Sequence, residues 1–194
     1  MATVSRGFYQ RPTTDVARDL LGTVLVRRAE DGTAAVRITE VEAYLGVDDP
    51  ACHTYGGRRT PRTETMWGAA GHAYVYLVYG LHCCLNVVTV GEGHPEAVLI
   101  RGGTPIAGVD LMRTRRGPSI GDRSLTDGPG KLCQALSVTR DDDGVDLSRA
   151  RSGLVICSAR SRCAGALKTM PRVGVEYAGE AAGWPLRYVL DDAG

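Results

Sequence analysis

Apolar residues recur along this chain in two rhythms. In TTDVARDLLG, Val16, Ala17, Leu20 and Leu21 fall at helical spacing behind hydroxyl and acidic capping residues, and Gly22 closes the run. That spacing predicts a short amphipathic helix. TVLVRR and AAVRITEVEAYLG read as strands, and in the second the apolar residues Val36, Ile38, Val41, Ala43 and Leu45 change phase around Glu40. Such a shift predicts a β-bulge at that point. HAYVYLVYG and LHCCLNVVTVG are β-rich runs that meet at Gly80, as a hairpin would. HPEAVLIRGGTP is one more strand, and GLVICSA and PLRYVLDD close the chain as strands. IAGVDLMRTRRG predicts a helix with Ile106, Val109, Leu111 and Met112 inward, and GPGKLCQALSV another, opened by a glycine-rich turn. The sum is α+β: a mainly antiparallel sheet with helices packed on it, residues 1–194 forming a single domain.

Composition changes this picture little. At 194 residues, 43% hydrophobic and 23% charged, the chain has the make-up of an ordinary globular protein and not of a disordered one. No segment approaches the roughly 20 apolar residues that cross a bilayer, and the first residues lack an apolar signal region, so no membrane partner and a cytoplasmic location are expected. The cysteines at 52, 83, 84, 133, 157 and 163 include no C-x-x-C and are expected to be reduced thiols. Net charge is +1, but its distribution is uneven. Arginines gather at Arg58, Arg59 and Arg62, at Arg113, Arg115 and Arg116, and with Lys168 at Arg160, Arg162 and Arg172, while DDDGVD concentrates acid at 141–146. This permits either a basic face or a set of solvated loops.

The candidate chemistry begins on the second strand. Glu40 and Glu42 point to one face, and Tyr44 continues the row unless the bulge intervenes. Two buried carboxylates side by side need a cation, a hydrogen bond or a proton, a situation typical of acid/base sites; on an edge strand they would simply be solvated. The strand runs into a long Gly/Pro/Arg/Thr loop over 46–72 that holds His53, and loops of that length are usually functional. Cys52 with His53, and His82 with Cys83 and Cys84, have the wrong spacing for zinc, since a strand turns adjacent side chains to opposite faces. No metal and no cofactor are expected. On the hairpin, Tyr74 and Tyr76 share a face and Tyr79 takes the opposite phase just before Gly80. Phenols are costly in a dry core because each needs a partner. Beside basic loops they suit stacking on nucleobases, and a Tyr79-Gly80-Leu81 tip suits a wedge between base pairs; an aromatic core hairpin is the plainer alternative.

Together, EVEAYLGVDDPACHTYGGRRTPR, YVYLVYGLHCCLNVV, VLIRGGTP, GPGKLCQAL and RVGVEYAGE with PLRYVL resemble, in order and over nearly the whole chain, the alkyladenine (3-methyladenine) DNA glycosylase family. These are base-excision repair enzymes of mammals and many bacteria. The resemblance implies a single compact domain whose curved antiparallel sheet projects a β-hairpin into the DNA minor groove. It implies a monomer acting on double-stranded DNA with damaged purines: 3-methyladenine, 7-methylguanine, hypoxanthine and ethenoadenine. By position it implies Glu42 as the base that activates water, and Arg101 with the main chain of His53 as that water's holders. Tyr44 and Tyr76 become the clamp on a flipped base, and His53 and the main chain of Ala51 contacts to it. Asn86 becomes the group that crowds guanine's amine, and Tyr79 the residue that fills the gap in the duplex. Leu81, His82 and Lys131 become further DNA contacts, Tyr74 is left with a structural role, and Glu40 either supports the residues that touch the base or is structural. The implied reaction is monofunctional hydrolysis without strand cleavage. Two rivals remain open: a binder of damaged DNA that does not cut, and a metal-dependent hydrolase using His53, His82 and Glu42.

Overall fold

A computed structural model describes residues 1–159 and 165–191; Arg160, Arg162, Cys163 and Asp192 lie outside the described residues. The described helices are α1 (Arg6–Tyr9), α2 (Thr13–Leu20), α3 (Val109–Arg116) and α4 (Pro129–Ala135). The strands are β1 (Val24–Ala29), β2 (Gly32–Tyr44), β3 (Ala73–Val78), β4 (His82–Gly91), β5 (His94–Ala107), β6 (Leu154–Cys157), β7 (Leu167–Met170) and β8 (Arg187–Leu190). They form one curled 8-stranded sheet in the order β3-β4-β5-β2-β1-β6, with β8 paired to both β2 and β7. Every pairing is antiparallel. The fold is therefore the α+β domain that the hydrophobic pattern predicts. The buried face of α2, Val16, Ala17 and Leu20, joins Val36, Ile38, Val75, Val87, Val98 and Ile100 in the main core. Among the described residues no helix is long and apolar enough to cross a membrane.

β2 organises the site because it changes partner along its length. Its first half pairs with β1, residues Glu40 to Glu42 pair with β8, and its other edge follows β5. The expected bulge is present. Opposite β5 the register steps from Ile38↔Gly103 to Glu40↔Gly102 and then to Val41↔Ile100, so Thr39 is extra on β2 and Arg101 is extra on β5. Two bulges on facing strands cancel in register while turning both chains, which re-aims the side chains beside them. Gly103 is required at this crossing: a Cβ there would lie 2.2 Å from the carbonyl oxygen of Arg37.

Elsewhere the structure departs from the hydrophobic pattern. Ile106 does not belong to a helix. β5 continues to Ala107, with Ala35 facing Ala107, and the left-handed Gly108 (φ 70) then starts α3 at Val109. Ile106 is thereby left partly exposed on the strand end. α1 is one turn long and β7 is exposed at every position, so neither has a periodic signature.

The β3–β4 hairpin runs from Ala73↔Val87 to Val78↔His82. Its turn places Tyr79 at φ 51 and Gly80 at φ 70, and the Leu81 N–H donates to the Val78 carbonyl at 3.1 Å. Successive positive φ angles match the twist of a tight hairpin, yet a tyrosine there is strained where glycine or asparagine would be relaxed. Tyr79 is 92% exposed and Leu81 78%.

Candidate active site

β2 delivers Glu42 and Tyr44, β5 delivers Arg101, β3 delivers Tyr74 and Tyr76, and β4 delivers Asn86. The loop after β2 adds Ala51 and His53, and the segment between β7 and β8 adds Val173 and Tyr177. They surround a cavity of about 500 Å³, a size common among small-molecule pockets. Tyr44 packs against two small apolar clusters, one with Cys52, Met66, Tyr74 and Tyr76 and one with Ala51, Val175 and Ala178, so its ring stands between them.

Glu42 is fully buried. Its Oε2 accepts from the Tyr44 hydroxyl at 2.8 Å; its Oε1 accepts from the Val173 N–H at 2.8 Å and lies 3.3 Å from Arg101 Nη1. A carboxylate offers about four acceptor positions, so these contacts leave room for one further donor, such as a water. Burial raises the proton affinity of Glu42 above the usual carboxylate range, while the Arg101 charge, the Val173 N–H and the Tyr44 hydroxyl act against that rise. Every group that touches the carboxylate therefore favours its ionised form, and its environment makes it a better base than an exposed glutamate. Burial works to lower the Arg101 pKa, but the charges and hydrogen bonds of Glu42 and Glu40 outweigh it and hold the guanidinium above its ordinary value.

A buried ion pair fixes the walls. Arg172 and Asp49 are both at 0% side-chain exposure and meet in a two-pronged contact, with Nη2 donating to Oδ1 at 2.8 Å. Asp49 also accepts from the Leu45 and Ala51 N–H groups, each at 3.0 Å, and Arg172 Nη1 donates to the Ala43 carbonyl at 3.0 Å. The guanidinium lies 4.8 Å from the Tyr44 ring centroid. The pair thus ties the end of β2, the turn at Ala51 and the C-terminal segment to one another. The Ala51 carbonyl accepts from the Tyr177 hydroxyl at 3.0 Å, so both main-chain groups of Ala51 already have partners within the protein.

His53 stands edge to face with Tyr76, ring centroids 4.6 Å apart, and its Nδ1 lies 2.9 Å from the Tyr74 hydroxyl. Burial, with the nearby charges of Arg62 and Arg58, lowers its pKa to about 4, so the ring is neutral near pH 7. Tyr74 and Tyr76 lie 5.3 Å apart, and the Arg62 guanidinium sits 5.0 Å from the Tyr76 ring. Asn86 is buried, its Nδ2 donating to the Tyr74 carbonyl at 3.1 Å.

A family model described as Methylpurine-DNA glycosylase (MPG) matches residues 7–194. The chain belongs to the methylpurine-DNA glycosylase family. A relative from Desulfitobacterium hafniense is 44% identical over 200 residues, covering 100% of this chain and 97% of its own length. One from Methanocella arvoryzae is 46% identical over 188 residues, covering 97% of this chain and 92% of itself. One from Bdellovibrio bacteriovorus is 46% identical over 187 residues, with 95% and 93% covered. Each of these relatives bears the name "Putative 3-methyladenine DNA glycosylase".

Of the residues that resemblance to this glycosylase family singled out, Glu42, Tyr44, Ala51, His53, Tyr76, Tyr79, His82, Asn86 and Arg101 all line the one cavity. Leu81 projects from the hairpin tip, and Lys131 is paired with Asp127 at 2.8 Å on α4. α4 is nevertheless docked on the hairpin: a Cβ at Gly130 would lie 3.1 Å from that of His82, so glycine permits the contact. Sequence reasoning passed over Val173, which reaches Glu42; Tyr74, given a structural role there, lies in the cavity wall with its hydroxyl 2.9 Å from His53 Nδ1. It also passed over the Asp49–Arg172 pair. The only signal for Val173 was its place in the RVGVEYAGE motif.

Proposed function

We propose that the protein is a monofunctional DNA glycosylase that removes alkylated or deaminated purines from duplex DNA by hydrolysis. The observation that carries this reading is Glu42: a fully buried carboxylate on a cavity wall, held by Arg101, Tyr44 and the Val173 N–H with an acceptor position to spare. In the proposed reaction a water donates a hydrogen bond to Glu42 and its oxygen attacks C1′ of the flipped nucleotide. The water proton passes to Glu42, and the electrons of the C1′–N bond leave with the purine; a cationic alkylated purine is thereby neutralised, whereas neutral hypoxanthine or ethenoadenine must also take up a proton from solvent as it leaves. The products are the free base and an abasic site. No lysine lines the cavity among the described residues, which favours water over an amine as nucleophile and hence hydrolysis without strand cleavage.

Tyr44 and Tyr76 supply aromatic faces for the extracted base. A purine alkylated at N3 or N7 is cationic, which makes it a good leaving group and adds a cation–π attraction of about 0.5–2 kcal/mol per ring. Neutral hypoxanthine and ethenoadenine depend more on edge contacts, for which the uncharged His53 is suited. Asn86, its amide held by Tyr74, is placed to crowd the exocyclic amine of normal guanine. Tyr79 is the candidate wedge: it is strained and exposed, gains nothing from packing, and such an outlier motivates a functional role. The extruded nucleotide costs a few kcal/mol of stacking and pairing, least at damaged pairs. In this reading the enzyme acts as a monomer. Base release from methylated DNA tests the reading directly; tight binding of lesion DNA without release would instead favour a damage-binding protein.

A further inference from the structure

Glu40 enters none of the steps above, yet its surroundings are those of a working group. One of its oxygens, Oε1, accepts from Arg101 Nε at 2.8 Å and from Arg187 Nη1 at 3.0 Å. Arg187 is placed by β8 as the register partner of Glu42 on the neighbouring strand, and its Nε donates to the Pro171 carbonyl at 2.9 Å. The outer pair is the more exposed, Arg187 at 18% and Glu40 at 23%, against 14% at Arg101 and 0% at Glu42. Solvent thus screens the inner contacts least.

We infer that Glu40 and Arg187 are a positioning pair for the base: they hold the Arg101 fork toward Glu40, so that Arg101 touches Glu42 through one nitrogen and leaves it free to engage water. The inference rests on Glu42 being the base. A guanidinium free to choose would bind a buried carboxylate through two parallel N–H donors, which is the favoured geometry. Here the Nε–H is committed to Glu40, and Nη1 stands 3.3 Å from the Glu42 carboxylate. Strand alternation puts Glu40 and Glu42 on one face of β2, and Arg101 is the bulged residue of β5 opposite them.

The charged and titratable groups that act on Glu42 are Arg101 from β5, Glu40 and Tyr44 from β2, Cys84 from β4 and Arg172 from the segment before β8. Arg187 acts on it through Glu40. Neutralising Glu40 removes a repelling charge and releases the full Arg101 fork onto Glu42, which strengthens the ionised form and weakens the base. Neutralising Arg187 leaves Glu40 to pull harder on Arg101, with the opposite effect.

The test is single-turnover base release from a hypoxanthine duplex as a function of pH, for the parent, Glu40→Gln and Arg187→Gln, with folding checked by circular dichroism and melting. Glu40→Gln should move the acid limb of the profile down by about half a pH unit or more, and Arg187→Gln should move it up. The Glu40→Gln plateau should fall about tenfold as Glu42 is tied up. If both variants keep the parent's limb, or both move it the same way, the pair is structural only and the inference is overturned. If Glu40→Gln does not fold, the direction of the Arg187→Gln shift decides alone. A parent that releases neither hypoxanthine nor methylated purines overturns the glycosylase reading, and this inference with it; a parent active only on methylated purines is assayed on methylated DNA instead, and a working parent with unmoved limbs overturns the inference alone.

Discussion

Replacing Asp49 with alanine should damage the protein far more than its place in a loop suggests. The carboxylate accepts from the Leu45 and Ala51 N–H groups and from both Nη atoms of Arg172, and both partners of that ion pair are wholly buried. Asp49→Ala strands the guanidinium and orphans the loop N–H groups at once. Breaking a buried pair from one side costs about 3–5 kcal/mol. In a chain of this size each kcal/mol lowers the melting temperature by about 2–4 °C, so a fall of roughly 6–20 °C is expected. Removing both charges, in Asp49→Ala with Arg172→Met, should recover more than half of that loss, because the stranded charge and not the missing attraction dominates the penalty. Calorimetry of the parent, the single variant and the double variant gives the comparison. The single variant should also release base slowly at temperatures where it is folded, since Arg172 backs the Tyr44 ring. An Asp49→Ala protein that melts within about 2 °C of the parent would refute this account of how the cavity wall is held.

Tyr79→Ala should leave the melting temperature unchanged, because the side chain is 92% exposed, yet slow base release about tenfold or more, since stacking lost at the vacated pair is worth a few kcal/mol. Asn86→Ser should cost about 1–2 kcal/mol from the lost bond to the Tyr74 carbonyl and should raise release of undamaged guanine, measured by chromatography of freed bases. His53 gives a pH-dependent stability. Its pKa is lowered from 6.5 to about 4 in the folded protein, so between those values the unfolded chain binds a proton that the folded one refuses. Its contribution is complete above pH 6.5 and is lost as pH falls toward 4, by at most about 3 kcal/mol. Urea titrations across that window should show a shallower decline for His53→Gln than for the parent.

The sequence made the sheet legible wherever a strand has one buried face. The phase change at Glu40 revealed the Thr39 bulge, because a single inserted residue swaps every later side chain to the other face. The answering bulge at Arg101 left no trace: it sits between a fully apolar run and two glycines, where no alternation exists to be broken. The hairpin was readable for the same periodic reasons, although Tyr79, read as the last strand residue, lies in the turn beyond Val78; the convergence of Glu42 with Arg101 was implied by the family resemblance alone. The segment that reaches Glu42 through Val173 was not. It is irregular, and the helical turns that follow are broken at Gly179 (φ 59), so its role rests on contacts formed only once β8 docks beside β2. Asp49 and Arg172 are 123 residues apart and each alone reads as a surface charge.

The most direct test of the account compares the parent with Glu42→Gln in single-turnover release of hypoxanthine, and of methylated purines, from duplex DNA in the presence of EDTA. The parent should release base and the variant none, with equal binding of lesion DNA by both. Equal release by the two proteins would contradict the assignment of Glu42 as the base, and no release by either, despite tight binding, would contradict the glycosylase reading itself.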